Sequence, residues 1–168
     1  MSDEKKPPNH YVDNKKFYEA MVEWKKLVIE AEAAGDGVPP VTDYIGDCFL
    51  QIATHLSYRP NFINYPYREE MIGDGIENCL MYCSNFDPEK SKNPFSYFTQ
   101  IIYYAFLRRI QKEKKQTYIK YKALKVAMES GMFPNAGMHF FDPEDTKDPV
   151  AQSLQLSETD IEKFEKTT

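Results

Sequence analysis

Residues 69–125 read EEMIGDGIENCLMYCSNFDPEKSKNPFSYFTQIIYYAFLRRIQKEKKQTYIKYKALK. Three segments follow in order: an acidic amphipathic helix, a turn punctuated by Pro88 and Pro94, and a helix that begins aromatic and ends basic. In the first, Met71, Ile72, Gly75, Ile76, Cys79, Leu80 and Cys83 form the expected inward face of a helix over 67–84. Asn93-Pro94 opens the next helix, with proline in the first turn, where a missing N–H costs nothing. That helix is expected to run to about 125, either unbroken or interrupted near Gln116. Its stripe of Phe95, Phe98, Ile102, Phe106 and Ile110, at spacings of three and four, is the expected buried face.

Two more helices precede this stretch. Phe17, Met21, Trp24 and Val28 recur at helical spacing within 15–34, and Gly35, Gly37, Pro39 and Pro40 stop that run. Thr42 is placed to cap a second helix to about Tyr58, with Ile45, Phe49, Ile52, Ala53 and Leu56 on one face. No strand pattern persists, and no repeat or glycine-rich phosphate loop occurs. The expected fold is all-α: a compact helical bundle over 15–125, a flexible leader over 1–14, and an irregular linker and acidic tail over 126–168. Gly131, Pro134, Gly137, Pro143 and Pro149 account for the irregularity.

Composition narrows the class. The chain has 168 residues, 42% of them hydrophobic and 14% aromatic, enough for a core. No run reaches the length of a membrane span, and MSDEKKPPNHY lacks a signal peptide's apolar segment, so an intracellular, membrane-free protein is expected. Cys48, Cys79 and Cys83 are an odd number without a CxxC pair, which argues against a disulfide framework. Cys79 and Cys83 share a helical face and with a histidine would make an incomplete metal site; the plainer reading is small core residues. His10, His55 and His139 show no ligand spacing. No nucleophile or carboxylate pairing stands out, so no enzyme, metal or cofactor is expected.

The net charge of −5 hides an asymmetry. Residues 108–125 carry eight Lys/Arg against Glu113, a local +7, which leaves −12 for the remainder. A basic block suits phosphate and an acidic remainder suits a basic protein, so two partners of opposite character are implied. The plainer reading of the block is a solvated face. The adjacent aromatics weaken it, because Phe95, Tyr97, Phe98, Tyr103, Tyr104 and Phe106 cannot all point inward. For Phe95, Phe98 and Phe106 the core reading wins; for Tyr97, Tyr103 and Tyr104 an exposed stacking role is the alternative.

These motifs resemble region two of bacterial sigma factors. EMIGDG at 70–75, NFDPEKSK at 85–92, FSYFTQII at 95–102 and RRI at 108–110 fall in that region's order, over about a third of the chain. The chain is more closely similar to the late-transcription sigma factors of T-even-type bacteriophages. Lys92-Asn93-Pro94, Thr99-Gln100, Ala105-Phe106 and Arg109-Ile110 match their KNP-x-x-Y-x-TQ, A-F and basic elements, and Tyr11-Val12, Asn14-Lys15 and Ala20 match an N-terminal one.

The resemblance implies a partner for each surface. Glu70, Asp74 and Leu80 would meet the clamp helices of the host core RNA polymerase β′ subunit. Tyr97, Phe98, Gln100, Tyr103, Tyr104, Arg108, Arg109 and Lys112 would meet promoter DNA, with Phe98 at the position that stacks on a flipped base. Ile101 and Ile102 replace the paired tryptophans that wedge the duplex, and Gly73 and Ile76 replace polar residues. The family's tail binds a DNA sliding clamp; here Ile161 and Phe164 would be the two anchors, although the family's tail motif is not reproduced. A disordered solubilising tail is the plainer reading. The implied function is promoter recognition and opening at an AT-rich −10-type late element, in the cytoplasm of an infected bacterium, with a clamp and a late coactivator as further partners. The alternative is a helical adaptor that binds a polymerase or replisome without reading DNA.

Overall fold

A computed structural model of the chain describes residues 11–132, 151 and 154–167. The first helix, α1 (Asn14–Ala34), begins where the Asp13 carboxylate accepts the N–H groups of Lys15 and Lys16 at 3.0 and 3.2 Å. Those donors have no partner inside the helix, so the cap stabilises it. α1 ends at Gly35, whose φ of 75° lies in the left-handed region. The Gly35 N–H donates to the Glu32 carbonyl and the Asp36 N–H to the Ala31 carbonyl, a Schellman closure that glycine enters without strain. Phe17, Met21, Trp24 and Val28 are all buried, as their spacing predicts. Trp24 Nε1 donates to the carbonyls of Pro39 and Pro40 at 3.3 and 3.1 Å, which fastens the following loop.

α2 (Asp43–Ser57) is capped by Thr42, whose hydroxyl accepts the Ile45 N–H. It buries Ile45, Cys48, Phe49, Ile52, Ala53 and Leu56. α3 (Arg68–Tyr82) buries the narrower stripe Met71, Gly75 and Cys79, and a 3-10 turn (Cys83–Asn85) follows. Leu80, expected inward, is 48% exposed. Residues four apart carry the buried line, and Leu80 sits one position, about 100°, beyond it. Tyr18 Oη donates to the Pro88 carbonyl at 3.0 Å and Lys25 Nζ to the Ser84 carbonyl, so α1 holds the turn that follows α3.

α4 (Pro94–Glu129) is one unbroken helix of 36 residues, without a break at Gln116. Asn93 Oδ1 accepts the Ser96 N–H at 3.0 Å, and Asn14 Oδ1 accepts the Phe95 N–H at 3.2 Å. Phe98, Ile102, Phe106 and Ile110 are buried, as the stripe predicts, and so is Ala105, which the stripe did not include; Phe95 at the stripe's edge is half-buried. The Phe98 ring lies 4.6 Å from Phe49, 5.7 Å from Phe17 and 5.9 Å from Phe86, centroid to centroid. Rings from α1, α2 and the post-α3 turn thus converge on one α4 side chain. Gly75 lets α3 approach α4: a Cβ there would meet Ile102 Cγ2 at 3.0 Å and Phe106 Cε1 at 3.2 Å.

The three cysteines are free and buried, the small-core reading. Burial pushes the Cys83 thiol up to about 12, and burial with the neighbouring Cys83 raises Cys79 further. No described helix is long and apolar enough to cross a membrane.

The chain packs as two units, Met1–Arg109 and Ile110–Thr168. α4 contributes residues to both, so the division falls within it rather than at 125. In the second unit Tyr118, Tyr121 and Ala151 are buried, and Met128, Leu154, Leu156, Ile161 and Phe164 pack against them. α5 (Glu158–Glu165) begins at Ser157, whose hydroxyl accepts the Asp160 N–H. The expected irregular tail therefore contains a helix with an apolar anchor. Of the expected flexible leader, residues 1–10 lie outside the described residues. Beyond them, Val12 is buried, Asp13 caps α1, and Tyr11 stacks on His55 at 3.7 Å. His10, His139, Pro134, Gly137, Pro143 and Pro149 also lie outside the described residues.

Candidate functional site

On α3, Glu70 and Glu77 are exposed, and Leu80 and Met81 follow at 48% and 60% exposure. Spacings of seven and three to four put these residues on one strip, acidic at its start and apolar at its end. Glu70 and Leu80 were expected here. Glu77 and Met81 were missed, although both fall at helical spacing from Glu70.

Asp74, the third expected member, is turned into the unit. Arg109 Nε and Nη2 donate to its two carboxylate oxygens, each at 2.6 Å, a bidentate pair between α3 and α4. The side chains are 28% and 18% exposed, so both charges are largely withdrawn from water. Next to it, Arg108 Nη2 donates to Asn78 Oδ1 at 2.7 Å, and Asn78 Nδ2 donates to the Asp74 carbonyl at 2.7 Å. Asp74 and Arg109, expected on two different partner surfaces, meet each other instead. Their charges cancel inside the unit, and the pair fixes the two helices in register.

The expected DNA-facing residues divide by burial. Phe98 has no exposed surface, so it is a core residue and its ring is closed to a base. Tyr97 is half-buried, edge-on to Phe86 at 5.2 Å and to Phe98 at 5.0 Å. Burial raises the pKa of its hydroxyl, with Cys83 and Cys79 adding to the shift. Gln100, Tyr103, Tyr104 and Arg108 are exposed on one face of α4, together with Leu107. Tyr104 is 50% exposed and Tyr103 36%, their rings 5.8 Å apart and edge-on. Tyr103 also leans on Phe62 at 5.6 Å, which holds it in place. Two aromatic faces and a guanidinium on one helix can take stacked bases and a phosphate.

In the second unit Lys112 is exposed, whereas other members of the basic block are engaged. Lys114 Nζ donates to both Asp160 oxygens at 3.0 and 3.1 Å, and Lys122 Nζ donates to Glu165 at 3.1 Å. Lys163 of α5 donates to Gln111 Oε1 at 2.8 Å. Burial pushes the Asp160 carboxyl up, but hydrogen bonds from Ser157 and Lys114 outweigh it and hold the group below its usual range. Phe164 lies 5.4 Å from Tyr118, ring to ring. Ile161 and Phe164, expected as free anchors for a clamp, are thus half-buried within their own unit. Apolar side chains in water pack on the nearest apolar surface, and α4 supplies it.

Among the described residues, no group of three His, Cys, Asp or Glu side chains is placed to share an ion. No protein-family model matches the chain, and no curated protein matches it at a significant level.

Proposed function

We propose that the chain is a phage-type sigma factor for late transcription, which binds the host core RNA polymerase and recognises and opens an AT-rich −10-type promoter element. The observation that carries the reading is the order EMIGDG, NFD, KNP-x-x-Y-x-TQ and RRI, laid along α3, the following turn and α4. Support also comes from the side chains exposed in and between those motifs: acid and apolar residues on α3, aromatic, amide and guanidinium groups on α4.

Each surface then has a task. Glu70 and Glu77 steer α3 to basic polymerase helices, and Leu80 and Met81 supply the area that water leaves on docking. Tyr103 and Tyr104 stack on unpaired bases, each contact worth about 1–3 kcal/mol. This assigns the stacking task to the exposed tyrosines rather than to Phe98. Ile102 is buried and Ile101 half-buried, so neither takes the wedge role of the tryptophan pair. Gln100 and Arg108 position the strand. Nucleotidyl transfer belongs to the polymerase. The site of action is the cytoplasm of the infected host, and a sliding clamp and late coactivator are further partners. For Ile161 and Phe164 to reach a clamp, they must first leave Tyr118 and Tyr121.

The adaptor reading draws on a specific observation: the buried Phe98 and the pairing of Arg109 with Asp74 remove two DNA contacts. Promoter-specific initiation separates the two readings, since an adaptor supports none.

Glu70→Lys/Glu77→Lys tests the docking strip. Both positions are exposed, so the fold is expected to stand. Affinity for purified core polymerase should fall at least about tenfold, which corresponds to roughly 1.4 kcal/mol. A folded variant that binds core enzyme like the parent would remove α3 from the interface.

A further inference from the structure

We infer that α5 is an intramolecular stand-in for single-stranded DNA, covering a second DNA-binding face of α4 formed by Lys114, Tyr118 and Lys122. The proposal rests on the reading above only for its choice of DNA as the ligand.

Lys114 and Lys122 are eight residues apart, about two turns, so they lie on one side of the helix with Tyr118 midway between them. Lys122 Nζ sits 5.8 Å from the Tyr118 ring centre. Cations flanking an aromatic face are what a single strand recognises: phosphates take the cations and a base takes the ring. α5 fills each position with the corresponding chemistry. The Asp160 carboxylate is on Lys114 at 3.0 Å, the Glu165 carboxylate is on Lys122 at 3.1 Å, and the Phe164 ring lies over Tyr118 at 5.4 Å, tilted by 31°. Anion, aromatic ring and anion thus lie along the face in the order that phosphate, base and phosphate would.

The cover is built to come off. The Lys122–Glu165 pair is half exposed on both sides, and exposed pairs hold weakly. A helix of eight residues is marginal by itself, so α5 depends on Ile161 and Phe164 staying on the apolar cluster. A strand binding the face must displace α5, which lowers its apparent affinity by the fraction of chains still covered. The consequence is a protein that engages DNA weakly until something removes α5, such as a partner that captures its apolar side.

The test uses the full chain without polymerase, so its outcome is separate from that of the sigma reading. A fluorescein-labelled single-stranded AT-rich oligonucleotide is titrated and followed by anisotropy at several salt concentrations. Asp160→Asn/Glu165→Gln and, separately, Phe164→Ala should each bind at least about fivefold more tightly than the parent. The log–log salt slope of the first should steepen by roughly 1.4, about 0.7 for each phosphate contact uncovered. Adding Lys114→Gln/Lys122→Gln to it should abolish the gain. Glu30→Gln/Glu32→Gln on α1 makes the same change in net charge and should leave affinity unchanged. The inference is overturned if folded variants of α5 bind no more tightly than the parent, if the α1 control gains as much, or if the lysine substitutions fail to reverse the gain.

Discussion

Phe98→Ala is expected to destabilise the unit Met1–Arg109 by about 3–5 kcal/mol, the range for removing a fully buried aromatic ring. The side chain has no exposed surface and meets rings from Phe17, Phe49, Phe86 and Tyr97. Alanine leaves a cavity where several elements converge, and none of them can close it alone. A domain of this size is stable by about 5–15 kcal/mol, so much of the margin disappears. Urea titration followed by Trp24 fluorescence measures the loss. Phe98→Leu keeps an apolar side chain and should cost less. Polymerase binding and promoter opening should both fall in Phe98→Ala, because the whole unit is affected. A folded Phe98→Ala variant with parental stability that fails only at promoter opening would restore the base-stacking role.

Asp74→Lys is expected to cost about 1.5–3 kcal/mol for the lost charge-assisted hydrogen bonds, with repulsion from Arg109 added. Arg109 is 18% exposed and cannot regain full hydration without moving α4 away from α3. That movement would also open the contact at Gly75. A double-mutant cycle with Asp74→Ala and Arg109→Ala should give a coupling energy within about 0.5–3 kcal/mol. If Asp74→Lys melts like the parent but binds polymerase poorly, Asp74 is a docking residue and the pair with Arg109 is incidental. If the variant loses stability, its weaker polymerase binding follows from the fold.

Local signals made most of the first unit legible. Thr42 and Asn93-Pro94 start helices because a side chain or the proline ring satisfies or removes orphan donors, whereas the Asp13 cap was hidden in a segment expected to be a flexible leader. The glycine and proline cluster after Ala34 stops one. Periodicity identified Phe17, Met21, Trp24 and Val28, and also Phe98, Ile102 and Phe106, because burial repeats with the helix. Three features depended on partners far along the chain. Asp74 meets Arg109 across 35 residues, and nothing local selects that arginine among the many cations. Phe98 carried both a core and a stacking reading, and burial by rings from other elements decided between them. α5 was hidden because its apolar residues are sparse; its partners are the tyrosines Tyr118 and Tyr121 within a basic run that read as a DNA-facing stripe. The same charge asymmetry that suggested two external partners is partly answered within the chain, by Asp160 and Glu165 on Lys114 and Lys122.

In vitro transcription by purified core RNA polymerase, on a template carrying an AT-rich −10-type late promoter, with and without this protein, tests the proposed sigma activity. Transcripts are expected to start at one defined position only when the protein is present, and to be lost in the folded Tyr103→Ala/Tyr104→Ala variant. Binding of the protein to core enzyme without any promoter-specific start would rule out a sigma factor and favour an adaptor that does not read DNA.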